Sequence, residues 1–339
     1  MLRPLSKVMV LLAFLAFSAS CGGESANAEE PSLQLPSVLQ PIRHPDNNLG
    51  SSAKIALGKE LFFDVRLSRN DRLACATCHD PAKGFSNGER FALGADGKPG
   101  TRHVPSLINV GYSTALFWDG RAATLEEQAL LPIQNPSEMD LPLDTLVKKL
   151  QGIPAYRDRF KTVFGGEVTP PRIGQSLAAY QRTLISKDTP FDRFLKGDKK
   201  SLTPAAARGM ELFFGQARCA VCHQGANFSD GKYHNIGSAD AKDQGRRAVT
   251  GNAKDHGAFR TPQLREIGRT APYMHDGRFK TLREVVNHYN FGGVTDQQND
   301  HRDEQLQVLY LGEDQVDDLV AFLAQGLTSR LIAHNRLKD

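Results

Sequence analysis

The sequence contains one five-residue pattern twice, as Cys75-Ala-Thr-Cys78-His79 and as Cys219-Ala-Val-Cys222-His223. Two thiols at this spacing can form thioether bonds to the two vinyl groups of one haem, and the following histidine then lies under the iron as its proximal ligand. A redox-active Cys-x-x-Cys pair needs no following histidine, and a Cys₂His₂ zinc site needs two histidines at short spacing, which neither copy has. The two copies therefore predict two covalently attached haem c groups.

The sequence on either side of the two motifs also recurs, which indicates an internal duplication. Gly58-Lys-Glu-Leu-Phe-Phe63 precedes the first motif, and Gly209-Met-Glu-Leu-Phe-Phe214 precedes the second. Farther along the chain, Asp119-Gly120-Arg121 recurs as Asp276-Gly277-Arg278, at an offset of 157 positions, whereas His79 and His223 are only 144 positions apart. The second half therefore carries about 13 additional residues, which we place in the loop 232–257.

These repeats, with few period-two strand patterns, predict a mostly α fold of two cytochrome c-like haem domains. Each domain is expected to have a helix that ends at the Phe-Phe pair, a haem-binding loop, and a later helix. Thr124 and Thr281 are predicted to cap the later helices, with Glu127 and Glu284 at the capping-box position. Another helix is expected within residues 172–185. The predicted segments are a signal peptide (1–28), a tether (29–40), an N-terminal haem domain (41–188) and a C-terminal haem domain (189–339).

The first residues have the features of an export signal. Arg3 and Lys7 precede an apolar run, Val8 to Phe17, that is shorter than the roughly 20 residues of a membrane span. Two processing routes follow from the sequence: a lipoprotein box, Ser18-Ala-Ser-Cys21, with a lipid anchor on Cys21, or cleavage after Ala26-Asn-Ala28. Either route predicts a periplasmic protein.

The composition is that of a globular protein. The 339 residues are 40% hydrophobic and 24% charged, with a formal net charge of +4. Two of those positive charges lie in the leader, so the mature chain is close to neutral and no nucleic-acid partner is expected.

The chain resembles the bacterial di-haem cytochrome c peroxidase and MauG superfamily from Leu57 to about Leu323. The resemblance is carried by several motifs spread over both halves, namely Leu73-Ala-Cys-Ala-Thr-Cys-His79, Pro105-Ser-Leu-Ile-Asn109, Phe117-Trp-Asp-Gly-Arg-Ala122, Glu127-Gln128, Asn135-Pro-Ser-Glu-Met139, Val249-Thr-Gly251 and Pro272-Tyr-Met-His-Asp-Gly277.

The resemblance implies a role for individual residues. His79 corresponds to the proximal ligand of the peroxide-reacting haem and His223 to that of the electron-transfer haem. Trp118 corresponds to an aromatic residue between the haems, Glu138 to the distal acid–base and Gln128 to a distal-pocket amide. Peroxide must lose a proton from one oxygen and gain one on the other before the O–O bond breaks, and one carboxylate can transfer both.

The distal ligands distinguish the subfamilies. Ordinary di-haem peroxidases have Met on the distal side of the second haem, whereas this chain has Tyr289, as MauG-type proteins do; phenolate favours oxidised iron. His288 is an alternative ligand, and so is Met274, which lies in a motif away from the ligand position. On the first haem the repeat-equivalent residue is Pro132, which cannot bind iron.

Many peroxidases close the first haem with a loop histidine, expected here near position 95. The sequence there is Gly94-Ala-Asp-Gly97, and the nearest histidine, His103, is expected to pack or to bind nearby polar groups. We therefore expect the first haem to be permanently open on one side.

Relatives also bind a calcium ion between the domains. Thr270 and Pro272 match two of its backbone-carbonyl ligands, which makes calcium a candidate cofactor. The asparagine expected two residues before Pro105 is His103 in this chain.

Three functions are compatible with these features. The first is reduction of hydrogen peroxide with electrons from a small donor protein, a cytochrome c or a cupredoxin. The second is a MauG-like oxidation of Trp or Tyr side chains on a partner protein. The third is electron transfer without catalysis, which Glu138, Gln128 and Pro132 argue against because a carrier needs neither an open iron nor a distal acid.

Overall fold

The computed structural model describes residues 33–238, 242–293 and 301–329. The predicted signal peptide, the lipid-attachment residue Cys21 and the tether up to Ser32 lie outside the described residues. Residues 33–40 of the tether contain no helix or strand, but Leu35 packs against the second hydrophobic cluster and the Gln40 carbonyl accepts a hydrogen bond from Tyr112 Oη (2.6 Å). No helix among the described residues is long and apolar enough to cross a membrane.

The described part of the chain is mostly helical, as predicted. The helices are α1 (Ser52–Phe63), α2 (Cys75–Cys78), α3 (Leu125–Gln128), α4 (Leu131–Gln134), α5 (Leu143–Gln151), α6 (Pro154–Phe164), α7 (Pro170–Gln181), α8 (Pro190–Leu195), α9 (Pro204–Phe214), α10 (Arg247–Thr250), α11 (Leu282–Asn290) and α12 (Glu313–Ala321), with a π-helical turn over Phe322–Gly326. Two short strands, β1 (Tyr233–His234) and β2 (Phe259–Arg260), pair antiparallel.

The described residues form one compact unit with two hydrophobic clusters. The buried residues of the first lie between Leu57 and Leu184, and those of the second between Phe191 and Leu327. The domain boundary that we propose at residues 188 and 189 falls between them.

Equivalent glycines let the main helices of each half pack closely. A Cβ atom on Gly58 of α1 would lie 1.9 Å from the Ser176 carbonyl oxygen of α7, and a Cβ atom on Gly209 of α9 would lie 1.9 Å from the Asp318 carbonyl oxygen of α12. Only glycine permits this backbone approach. The Gly-x-Glu-Leu-Phe-Phe repeat therefore has the same packing role in both halves.

The later helix differs between the halves, although Thr124 and Thr281 cap it as predicted by accepting hydrogen bonds from the Glu127 and Glu284 amides. In the second half, α11 runs unbroken over nine residues. In the first half the equivalent segment is split into α3 and α4, because Pro132 has no N–H to continue the helical hydrogen bonding.

We predict that Gly58→Ala lowers the free energy of unfolding by roughly 1–3 kcal/mol, because the added methyl group forces α1 and α7 apart. Gly152→Ala is the matched control, since a Cβ atom there meets its nearest neighbour at 3.4 Å, an ordinary contact. The measurement is denaturant unfolding of the haem-loaded protein; equal stability of the two variants would contradict the packing role of Gly58.

Candidate active site

The four motif cysteines are free thiols in both halves. Cys75 and Cys78 begin and end the single turn of α2, and Cys219 begins the equivalent 3₁₀ turn that Cys222 follows. Burial raises the pKa of Cys75 and of Cys219 to about 12. The pairs are therefore available for thioether bonds and are not joined as disulfides.

Each motif histidine is oriented by a backbone carbonyl. His79 Nδ1 lies 2.9 Å from the Phe85 oxygen, and His223 Nδ1 lies 3.1 Å from the Phe228 oxygen. Because a carbonyl can only accept, Nδ1 carries the hydrogen and Nε2 is free to bind iron, which is the usual orientation of a metal-binding histidine. Burial lowers the pKa of His79 to about 4, so its ring is neutral, as ligation requires.

Two adjoining cavities in the second half fit a haem. Both are lined by Cys219, His223, Tyr289, Trp118 and Arg260. Burial lowers the pKa of Arg260, whose guanidinium contacts only the carbonyl groups of Phe117 and Thr261 and pairs with no carboxylate of the described chain. A buried cation without a carboxylate partner suits a haem propionate.

The structure separates the three candidate distal ligands of the second haem. Tyr289 lies on α11, and burial together with the nearby Cys219 and Cys222 raises its pKa well above the usual value for tyrosine. The ring of His288 points elsewhere, with Nε2 2.8 Å from the Ile236 carbonyl oxygen. Met274, in the loop before α11, also lines both cavities.

Trp118 comes from the first half but lines the cavities of the second. Its indole N–H donates to the His103 carbonyl oxygen (2.8 Å), and its own carbonyl accepts from the Arg260 amide (2.8 Å). Its ring packs edge-on against His275, with centroids 6.5 Å apart, and His275 stacks on Phe259 at 3.7 Å. The indole is therefore fixed at the contact between the two halves.

The additional loop of the second half covers this tryptophan motif. Arg246 Nη1 donates to the Asp119 and Gly120 carbonyl oxygens (2.8 and 3.0 Å), and Asp243 accepts from Arg102, which also binds the Asp119 carboxylate. Residues of the loop that we predict at 232–257 thus bind the backbone next to Trp118.

Glu138 lies in the turn after α4, where Asn135 Nδ2 donates to its Oε1 atom (2.8 Å). Burial raises the pKa of this carboxyl, while the Asn135 hydrogen bond and the positive charge of Arg121 oppose the shift. The Glu138 charge in turn adds to burial in raising the pKa of Cys78 to about 11, so the carboxylate is close to the first haem-attachment site. Gln128 is half-buried at the end of α3.

The loop in which relatives place a haem-closing histidine is bound to the Glu138 turn. The Ala95 amide donates to the Glu138 carbonyl oxygen (2.7 Å), and a Cβ atom on Gly94 would lie 2.3 Å from the Ser137 carbonyl oxygen. His103 is not directed at the first motif, because its ring nitrogens contact the Glu89 carbonyl oxygen and Ser86 Oγ. No histidine of this loop is thus available to the first haem.

Arg260 and a charged cluster, of which His234 and Asp303 line the second cavity, were not predicted from the sequence. His234 lies between Asp230 (Nε2 to Oδ2, 2.9 Å) and Asp303 (Nδ1 to Oδ2, 2.5 Å). Contact with the Cys222 thiol and with these two carboxylates raises the pKa of His234 to about 10. The four-residue spacing of Asp230 and His234 was the available signal; their approach to Asp303 is a tertiary contact.

Fold and site together define a mostly helical c-type cytochrome with two haem-attachment sites and a half-buried carboxyl beside the first. Residues 52–200 match the family described as di-haem cytochrome c peroxidase, and residues 206–326 match the cytochrome c family. The chain belongs to the di-haem cytochrome c peroxidase and MauG family, whose members are oxidoreductases that carry two haem c groups and use peroxide as the oxidant.

Named relatives include both branches of the family. The chain is 40% identical to the methylamine utilization protein MauG of Methylorubrum extorquens over 286 residues, which cover 83% of this chain and 80% of the relative. It is 37% identical to the cytochrome c551 peroxidase of Nitrosomonas europaea over 290 residues (84% and 83%). The crystal structure of a MauG-like protein associated with microbial copper homeostasis superposes with a TM-score of 0.81 at 32% identity, covering 91% of this chain and 99% of that one.

We predict that Tyr289 is the distal ligand of the second haem, so that Tyr289→Phe, which removes the phenol oxygen, changes the optical and EPR spectra of that haem in the oxidised protein. Met274→Leu is the matched control on the same cavity and is expected to leave both spectra unchanged. A spectral change in Met274→Leu but not in Tyr289→Phe would assign the ligand to Met274.

Proposed function

We propose that this protein is a periplasmic di-haem peroxidase in which hydrogen peroxide reacts at an open first haem beside Glu138. Two haem c groups, when bound, supply the site at which peroxide is cleaved and store the two oxidising equivalents that it releases. The observation that carries the proposal is the half-buried Glu138 carboxyl next to the first attachment site, with the neighbouring loop bound to its backbone.

Glu138 transfers the proton in this scheme. Burial raises the pKa of this carboxyl, which makes its base form a stronger proton acceptor, and the same group then returns the proton of one peroxide oxygen to the other. Asn135 holds one carboxyl oxygen, which leaves the other for peroxide. Gln128 is proposed to hydrogen-bond the peroxide from the same side.

Trp118 is proposed to connect the two halves electronically. Its hydrogen bond to the His103 carbonyl and its edge-on contact with His275 hold the ring in one orientation. Such fixed geometry limits the movement of the indole ring when an electron passes through it.

The matched glycines, caps and histidine contacts of the two halves support an origin by internal duplication, after which only the second half kept an additional ligand residue, Tyr289.

The reductant distinguishes two versions of this function. A small donor such as a cytochrome c or cupredoxin would make the protein a peroxide reductase. In the second version the oxidising equivalents are held long enough to oxidise Trp or Tyr on a partner protein. This version is favoured by Tyr289, which stands where ordinary di-haem peroxidases have a methionine ligand. The similarity to MauG favours it as well.

We predict that Glu138→Gln slows the reaction with peroxide by roughly 10²- to 10⁴-fold, the usual contribution of a general acid–base group. Glu127→Gln is the matched control, because that side chain is exposed at the start of α3. Stopped-flow absorbance of the oxidised protein after mixing with peroxide gives both rates, and an unchanged rate in Glu138→Gln would remove Glu138 from the mechanism.

The pH dependence of the rate of reaction with peroxide gives a separate test of Glu138. The base form of Glu138 accepts the first proton, so the rate is expected to rise with pH through a midpoint above the ordinary glutamate value of 4.5. Glu138→Gln should abolish this rise. A rise that persists in the variant would assign it to another group.

Turnover with a soluble donor separates the two versions. Steady-state oxidation of reduced cytochrome c at a rate that matches the peroxide reaction would establish the reductase. Slow turnover, with a peroxide-dependent mass increase on Trp or Tyr of a protein encoded by a neighbouring gene, would establish oxidation of a partner.

A further inference from the structure

His103 is a buried residue at the contact between the two halves, 5% exposed. Its amide donates to the His275 carbonyl oxygen (2.7 Å), and its carbonyl accepts from the Trp118 indole (2.8 Å). The backbone of His103 therefore links the bridging tryptophan to the loop that precedes α11.

The imidazole of His103 occupies a space bounded by carbonyl groups of both halves. Nδ1 lies 2.9 Å from the Glu89 carbonyl oxygen, and since a carbonyl only accepts, Nδ1 carries a hydrogen. The carbonyl groups of Thr270 and Arg90 also lie near the ring. Burial lowers the pKa of His103, so this ring is uncharged at neutral pH and acts through its N–H group.

Thr270 and Pro272 line the same cavity as His103, and they are the residues whose carbonyls match calcium ligands in relatives. The donors in this chain do not fit that ion. Calcium takes six to eight oxygen ligands, commonly with carboxylates among them, whereas an imidazole stands here at the position of the expected amide oxygen.

The Asp276 carboxylate, whose charge acts on His103, already forms ion pairs with other side chains. Asp276 binds the Arg278 guanidinium (2.9 Å) and lies 3.6 Å from Arg90 Nη2. The junction therefore presents an imidazole N–H group among carbonyl oxygens, at the position where a calcium site would need a further oxygen ligand.

We propose that the His103 imidazole takes the place of the interdomain calcium ion, by filling the space beside the Thr270 carbonyl group and donating its one N–H group to the Glu89 carbonyl oxygen. The junction of the two halves is then held by a side chain, and the folded protein needs no divalent cation. The proposal does not rest on the proposed reaction, because its tests read metal content and thermal unfolding.

The first test uses the haem-loaded wild-type protein. We expect far less than one calcium per chain by elemental analysis after gel filtration, and the same unfolding midpoint in excess EGTA and in millimolar CaCl₂. A stoichiometric calcium ion whose removal by EGTA lowers the midpoint would overturn the proposal.

The second test restores the amide. His103→Asn is expected to unfold at a lower temperature than wild type in EGTA and to recover part of the difference in CaCl₂, because an oxygen ligand and free space replace the ring. Ser86→Ala keeps the ring while removing the hydroxyl 3.3 Å from Nε2, and its midpoint should not depend on calcium.

If millimolar calcium does not change the thermal unfolding midpoint of His103→Asn, the ring does not replace the ion, and the proposal is overturned. His103→Gln gives the same readout with a longer amide if the asparagine variant does not yield haem-loaded protein.

Discussion

The hydrogen bond from each motif histidine to the carbonyl of a phenylalanine is the constraint on which the rest of the structure depends. A histidine that must offer Nε2 to iron needs an acceptor for its Nδ1 hydrogen, and Phe85 and Phe228 supply that acceptor by adopting left-handed backbone conformations (φ 57° and 55°). Both phenylalanine rings are fully buried, so the hydrophobic core of each half fixes the orientation of its histidine.

The two halves share this histidine contact and differ in the later helix, which carries the residues expected on the distal side of each haem. Pro132 breaks the later helix of the first half, and the turn that follows brings Glu138 to the first attachment site. In the second half the same helix is unbroken and places Tyr289 on the cavity wall. The equivalent helices of the two halves therefore differ at the position of Pro132 and Tyr289, which supports the proposal of an open first haem and a distal ligand on the second.

Much of this arrangement could be predicted because it is local in sequence or repeated. The haem motifs, the helices ending at Phe63 and Phe214, and the caps at Thr124 and Thr281 all depend on residues a few positions apart. The role of Arg260 and the contact of His234 with Asp303 could not be predicted, because they depend on how distant loops fold over the cavity.

We propose that an open first haem and the second haem share the oxidising equivalents of peroxide through Trp118. The most direct test is to add one equivalent of hydrogen peroxide to the fully oxidised, donor-free protein and to follow the visible and near-infrared spectra. We predict a fast change at both haems and a long-lived near-infrared charge-resonance band. No reaction until one haem has been reduced would contradict it, because the first haem would then be closed by a ligand in the oxidised state.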